Sequence, residues 1–330
     1  MPITINKTAK IPPGTLLSPG HRGCAGCGQM IAARLVADTL GPKTIIANAT
    51  GCLEVVTTPY PESAWGMPWI HSLFENASAV ASGIRAALDY KEKIGSFNKG
   101  ATRRAEDLNP PSSPNVLGGI NVVAQGGDGG TFDIGLGLIS GMWGRGENIL
   151  YVCYDNEGYM NTGAQASAST PWAANTTTTP AGLSCDISGV GSHFTKKDML
   201  AIALAHGLKY VAQTTVAYPL DIIKKVKKAI AAPGPSYLQI LVPCIPGWKT
   251  EPKDTIKLAK LAALTGIYPV VEYVNGQLTE VMKRPADYPK VEEYLKPQGR
   301  FKHLFKSPRG QEQIAYIQWL ADENAKKYGL

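Results

Sequence analysis

Short apolar runs that end in glycine, asparagine or aspartate alternate along this chain with longer stretches of helical periodicity. Residues 44–47, 120–124, 149–153, 209–213 and 237–242 have the length and composition of buried strands. Residues 30–40, 74–93, 197–206, 219–231 and 252–264 repeat apolar positions at helical spacing. In the second of these, Ala77, Ser78, Ala79, Ala81, Ser82, Gly83, Ala86 and Ala87 are small enough for close packing. Such alternation predicts an α/β fold, a doubly wound and mostly parallel sheet forming one domain over residues 1–330. Around it we expect an extended N-terminal arm over about residues 1–20 and a Pro-rich surface excursion over about 95–118. Beyond about residue 266 we expect a C-terminal extension that wraps a partner. The stretch between the end of the first strand and residue 74, rich in Pro and Trp, reads as a loop.

Two of the strand ends carry chemistry. The run 120–124 leads into Gly127-Asp128-Gly129, and the run 149–153 leads into Asp155-Asn156. Open α/β sheets bind ligands at the carboxyl ends of their strands. A carboxylate from Asp128 and an amide oxygen from Asn156 could meet there on a hard cation such as magnesium, which shares its octahedron with phosphate oxygens and water. Glycines on both sides of Asp128 let the backbone approach a diphosphate. The bland alternative is a plain Gly-Asp-Gly turn and a polar strand end. The spacing resembles the magnesium–diphosphate motif of thiamine diphosphate enzymes.

Composition narrows the classes. With 44% hydrophobic and 18% charged residues the chain can bury a large core, so disorder is excluded as its dominant state. No uninterrupted apolar stretch is long enough for a membrane span, and the first residues lack the charged-then-apolar design of a secretory signal, so a cytoplasmic protein is expected. The net charge of +7 is spread over helical stretches such as residues 224–228, which reads as solvated helix faces and argues against nucleic acid.

Six cysteines remain. Cys153 sits inside an apolar strand and Cys185 has no motif. Cys24 and Cys27 form a C-x-x-C in a Gly-rich loop, Cys52 stands at a strand end, and Cys244 follows a strand. If those four thiols converge, they suit an iron–sulfur cluster; zinc and a redox pair stay open on residue chemistry alone.

Together the motifs resemble the beta subunit of pyruvate:ferredoxin oxidoreductase (pyruvate synthase) and related 2-oxoacid:acceptor oxidoreductases. The matching pieces run over about residues 17–250. They are His21-Arg22-Gly23-Cys24-Ala25-Gly26-Cys27-Gly28, Ala49-Thr50-Gly51-Cys52, Pro68-Trp69-Ile70-His71 with Phe74-Glu75-Asn76, Gly127-Asp128-Gly129, Asn161-Thr162-Gly163-Ala164-Gln165 and Pro243-Cys244-Ile245-Pro246-Gly247-Trp248. The resemblance implies that Cys24, Cys27, Cys52 and Cys244 hold a [4Fe-4S] cluster. It also implies that Asp128, the Asn156 side chain and the Gly158 carbonyl bind Mg2+. Gly127, Gly129 and Thr131 would line the diphosphate of thiamine diphosphate, Gly51 and Cys52 would wall the pocket, and Asn161 would act as a catalytic residue facing the reacting centre. His21 and Arg22 would touch cofactor or interface, while His71, Glu75 and Asn76 have packing or helix-start roles as good as functional ones. The activity implied is oxidative decarboxylation of a 2-oxo acid, pyruvate by default, with coenzyme A and one-electron transfer to ferredoxin or another acceptor.

The glutamate that activates thiamine is missing here; in the family it belongs to the alpha subunit. Gamma and ferredoxin-like delta-type subunits complete the expected assembly. Aryl and branched-chain 2-oxo acids stay open as substrates, and the rival readings are a non-oxidative thiamine carboligase and a zinc-stapled binding subunit.

Overall fold

In a computed structural model, residues 16–94, 119–182 and 189–330 are described. The expectations for most of the N-terminal arm, for the 95–118 excursion and for Cys185 lie outside them. Strands β1 (Thr44–Asn48), β2 (Trp69–His71), β3 (Asn121–Gly127), β4 (Leu150–Asp155), β5 (Tyr210–Thr215), β6 (Ser236–Leu241), β7 (Val271–Val274) and β8 (Gln277–Val281) form one sheet in the order β2-β1-β3-β4-β6-β5-β7-β8. The first six are parallel and β7 and β8 are antiparallel.

Side chains alternate between the sheet's two faces, as the pleat requires. Leu150, Val152 and Tyr154 pack with helices α1 (Gly28–Leu40) and α6 (Pro219–Ala231). Tyr151 and Cys153 pack on the other face with α3 (Ala77–Lys93), α4 (Leu136–Gly144) and α5 (Met199–Ala205). Cys153 is fully buried there as an apolar side chain.

The expected strands and helices appear with ends shifted by one to three residues. Three differences carry physical content. The presumed loop before residue 74 contains β2, an edge strand that among the described residues pairs only with β1, so no local apolar run marks it. Cys52 does not end a strand but opens a short helix, α2 (Cys52–Thr57), after the chain turns at Gly51 (φ +153°). The residues after 266 pack on their own chain. β7 and β8 extend the sheet, and α9 (Val291–Leu295) and α10 (Pro308–Tyr328) enclose Trp248, Phe301 and Leu304 with α8 (Thr255–Thr265). Among the described residues no helix is long and apolar enough to cross a membrane.

One buried pair on α6 ties the sheet's far half together. Lys225, 1% exposed, donates to the Gln213 carbonyl at 2.9 Å and to Asp221 Oδ2 at 2.7 Å. Burial works against the Asp221 carboxylate, but Lys225, Thr214 and Lys224 outweigh it and hold the group below the usual range. Its ionised form therefore contributes stability above the unfolded carboxyl's pKa of about 3.9, lost as pH falls through the lower folded value. Asp221→Asn should cost about 3 kcal/mol near neutrality. The gap in melting temperature from wild type should then close between about pH 5 and pH 3. A gap that stays constant over that range would show that the carboxylate charge contributes nothing.

Candidate functional site

Four neighbouring parallel strands, β1, β3, β4 and β6, deliver their chain ends to one edge of the sheet. Asp128 follows β3 and Asn156 follows β4, and the register of the pair, Gly127 beside Tyr154, sets the two loops side by side. Cys52 follows β1 and Cys244 follows β6. The loop of Cys24 and Cys27 closes over this edge from the start of α1. Its Gly28 N–H donates to the Pro243 carbonyl at 3.2 Å, and a side chain at Gly28 would collide with the Val242–Pro243 backbone at 2.9 Å.

Between these loops lies a cavity of about 110 Å³ whose lining includes Gly51, Cys52, Gly127, Asp128, Gly129, Asn156, Gly158 and Asn161. The predicted oxygen and glycine residues thus come together with Cys52, while Cys24, Cys27, Cys244 and Thr131 lie outside the lining. Thr131 is fully buried. Its hydroxyl donates to the Gly127 carbonyl at 2.7 Å and lies 3.1 Å from the Tyr151 hydroxyl. Its side chain fastens the glycine turn instead of facing a ligand. Gly129 opens a π-helical turn (Gly129–Asp133) whose first N–H groups have no helical acceptor and could receive phosphate oxygens. A side chain at Gly129 would meet the Tyr159 ring at 2.4 Å, so only glycine keeps Tyr159 seated.

The oxygen geometry tests whether magnesium fits. Asn156 Oδ1 lies 2.8 Å from the Gly158 carbonyl oxygen and 2.9 Å from Asp128 Oδ1. Oxygens with no proton between them repel at such distances. Either the amide turns its nitrogen inward and donates to both, or a cation sits among them. Neighbouring ligands of an octahedral magnesium ion, each about 2.1 Å from the metal, stand about 3.0 Å apart. The two separations from Asn156 Oδ1 are those of neighbouring ligands on such an ion.

Asp128 is fully buried; burial, and next the Asp155 carboxylate, push its carboxyl well above the usual range. Its Oδ2 accepts from Ser167 Oγ at 2.5 Å and its Oδ1 from the Asn156 N–H at 3.3 Å. An anion so placed is one that a bound cation would stabilise.

The thiols show the same need for positive charge. Burial pushes Cys52 up to about 12, with Cys244, Cys27 and Cys24 adding to the effect. Burial likewise pushes Cys244 up to about 11. Cys27 is half-buried and also raised by burial, while Cys24 is exposed. Metal binding would replace these protons. Among the described residues no three His, Cys, Asp or Glu side chains gather closely enough to hold one metal ion.

Asn161 is exposed at the cavity, in a turn closed by the Tyr159 N–H to Gln165 O bond at 2.9 Å. His71 is exposed, stacks on Trp69, and its Nε2 is 2.7 Å from Thr50 Oγ1, which brings it to the rim without lining the cavity. Asn76 caps the position before α3 and Glu75 precedes it, so both sit at a helix start. His21 accepts from the Gly23 N–H through Nδ1 at 3.3 Å, and the Arg22 N–H donates to the Val56 carbonyl at 2.8 Å.

Sequence reasoning missed the charges behind the site. Lys196 Nζ lies 2.6 Å from Asp155 and 3.2 Å from Glu157, and Arg300 Nη2 lies 2.6 Å from Glu157. Burial opposes the Glu157 carboxylate, but Lys196 and Arg300 prevail and lower it. Asp155 and Glu157 flank Asn156 in the sequence and were visible; nothing local marks Lys196 or Arg300 as their partners.

The thiamine pyrophosphate enzyme family, through its C-terminal TPP-binding domain, matches residues 49–240. The pyruvate synthase subunit PorB of Methanocaldococcus jannaschii is 49% identical over 314 residues, covering 95% of this chain and 96% of that one. The ketoisovalerate oxidoreductase subunit VorB of Pyrococcus abyssi is 42% identical over 310 residues, covering 92% and 89%. A solved 2-oxoglutarate:ferredoxin oxidoreductase from Magnetococcus marinus, bound to 2-oxoglutarate, coenzyme A and succinyl-CoA, shares the fold. Its TM-score is 0.52 at 20% identity, over 91% of this chain and 96% of that chain.

Proposed function

We propose, from the premise that this chain belongs to the thiamine pyrophosphate enzymes and among them to the pyruvate synthase PorB subunits, that it is the cofactor- and cluster-carrying beta subunit of a 2-oxoacid:ferredoxin oxidoreductase. The observation that carries the reading is a cavity of about 110 Å³ lined by Asp128, Asn156, Gly158 and Cys52, with the Cys24, Cys27 and Cys244 thiols close enough to Cys52 to raise its pKa. The reaction is oxidative decarboxylation of a 2-oxo acid to an acyl-CoA and carbon dioxide, with two electrons leaving singly.

Bound thiamine diphosphate supplies the carbon nucleophile that lets the bond to the carboxylate break. Asp128, Asn156 Oδ1 and the Gly158 carbonyl would hold the magnesium, which would neutralise diphosphate charge. The Gly127 and Gly129 backbone gives the phosphates room. Gly51 and Cys52 also line the cavity, and the Asn161 amide, in the same lining, would donate to substrate oxygens as charge develops on them. Cys24, Cys27, Cys52 and Cys244 would hold the [4Fe-4S] cluster, which would supply one-electron acceptance. Cys52 both lines the cavity and lies near enough to the other three thiols to feel their charge. Ligand thiols of this kind need a reducing compartment, in keeping with the cytoplasm.

The glutamate that activates the cofactor belongs to the alpha subunit, and gamma and ferredoxin-like delta-type subunits pass electrons on. The purified single chain is therefore expected to show no 2-oxo acid decarboxylation, while the reconstituted complex reduces viologen with pyruvate and coenzyme A. Turnover by the single chain at a rate comparable to the complex would refute the shared site. PorB and VorB relatives both exceed 40% identity, so the substrate is tested directly. Pyruvate should exceed 2-oxoisovalerate and phenylglyoxylate in kcat/KM; the reverse order would reassign the substrate.

A further inference from the structure

Glu157 stands between the two residues that offer Asn156 Oδ1 and the Gly158 carbonyl to the metal, and its φ is +66°. A side chain makes that left-handed conformation unfavourable by roughly tenfold relative to glycine. Nothing about the space requires the cost, since glycine would adopt the turn freely. The structure holds it instead from several sides. The Glu157 carboxylate, 2% exposed, meets Arg300 Nη2 at 2.6 Å and Lys196 Nζ at 3.2 Å. The Glu157 N–H donates to Asp155 Oδ1 at 3.1 Å, and its carbonyl accepts from Thr170 Oγ1 at 3.0 Å.

Arg300 is itself fixed. Its Nε donates to Gln298 Oε1 at 2.8 Å, and its guanidinium lies 3.9 Å over the Trp248 ring. Trp248 in turn donates through Nε1 to the Asn156 carbonyl at 2.8 Å. One residue from the C-terminal segment thus grips the metal-facing turn twice, through the Glu157 carboxylate and through the indole bonded to Asn156.

We propose that Arg300 and Lys196 are positioning residues for the cation site: through the Glu157 carboxylate they lock residues 156–158 in the left-handed turn that presents Asn156 Oδ1 and the Gly158 carbonyl to the same ion as Asp128. The clamp converts a flexible loop into a preorganised ligand face, so the cation meets oxygens already in place. The inference rests on the magnesium reading above.

The test uses Mn2+ as the probe in the assembled enzyme with thiamine diphosphate, free Mn2+ being followed by its paramagnetic resonance. Glu157→Ala removes the clamp and leaves a Cβ that disfavours the turn, so Mn2+ affinity should fall by about tenfold. Glu157→Gly removes the same carboxylate but frees the backbone, and should recover most of that loss. A purely structural ion pair predicts equal losses for the two, and equal losses would overturn the clamp. Arg300→Met should weaken Mn2+ binding in the Glu157 background and have no further effect in the Glu157→Gly background, with Arg300→Lys partly restoring it. An Arg300→Met effect undiminished by Glu157→Gly would also overturn the clamp. Asp128→Ala separates the two readings: a wild-type Mn2+ site unaffected by it would overturn the magnesium assignment itself.

Discussion

Asp128→Asn should leave the assembled enzyme unable to retain thiamine diphosphate and magnesium, with activity reduced by at least about a hundredfold, while making the metal-free protein more stable. The two effects have one cause. Asp128 is fully buried beside the Asp155 carboxylate, and among the described residues no cationic side chain bonds directly to it. Without a cation, ionising it costs burial and repulsion from Asp155, and an amide of the same shape avoids that cost. With a cation it is the one anionic member of the oxygen triad, and the amide cannot replace its charge. Melting temperatures should therefore rank the variant above wild type in chelator and below it with Mg2+ and thiamine diphosphate. An order that does not reverse would mean that the carboxylate is structural and no cation binds there.

Cys52→Ser should remove about four irons per chain and abolish viologen reduction. The hydroxyl is a poor substitute because a thiolate is the soft ligand that iron–sulfur clusters select. The position is also the most consequential of the four. Cys52 lines the cofactor cavity, and its thiol is held neutral most strongly, up to about 12, by burial and its three neighbours. Cys153→Ser, in contrast, should leave iron content unchanged, because that thiol is buried in the α3–α4 layer away from the loops. Iron retained at the wild-type level in Cys52→Ser would exclude Cys52 as a ligand.

Much of this site could be read before any tertiary contact was known. Gly127-Asp128-Gly129 and Asn156 announce themselves because each follows an apolar run, and strand ends of parallel sheets face one edge. The cysteines announce themselves through glycine-rich loops and strand ends. Thr131 shows the limit of position alone. It lies two residues from Gly129, yet the π-helical turn rotates its hydroxyl onto Gly127 O and Tyr151. Ser167, which bonds Asp128, was not legible at all, since it arrives from a turn-rich segment 39 residues away with no pattern of its own.

Local chemistry in the sequence determined the strand–loop rhythm, the doubly wound sheet, the diphosphate turn and the four cysteine positions, because each depends on residues within a few places of one another. Only the tertiary structure decided that β1, β3, β4 and β6 stand side by side and so bring Cys52, Asp128, Asn156 and Cys244 to one edge of the sheet. It also decided that the C-terminal segment folds back to place Arg300 on Glu157, a contact 143 residues apart in the chain. The physical reason is that strand order and buried ion pairs are set by the packing of whole layers, and no short-range periodicity encodes which distant residue will fill a given gap.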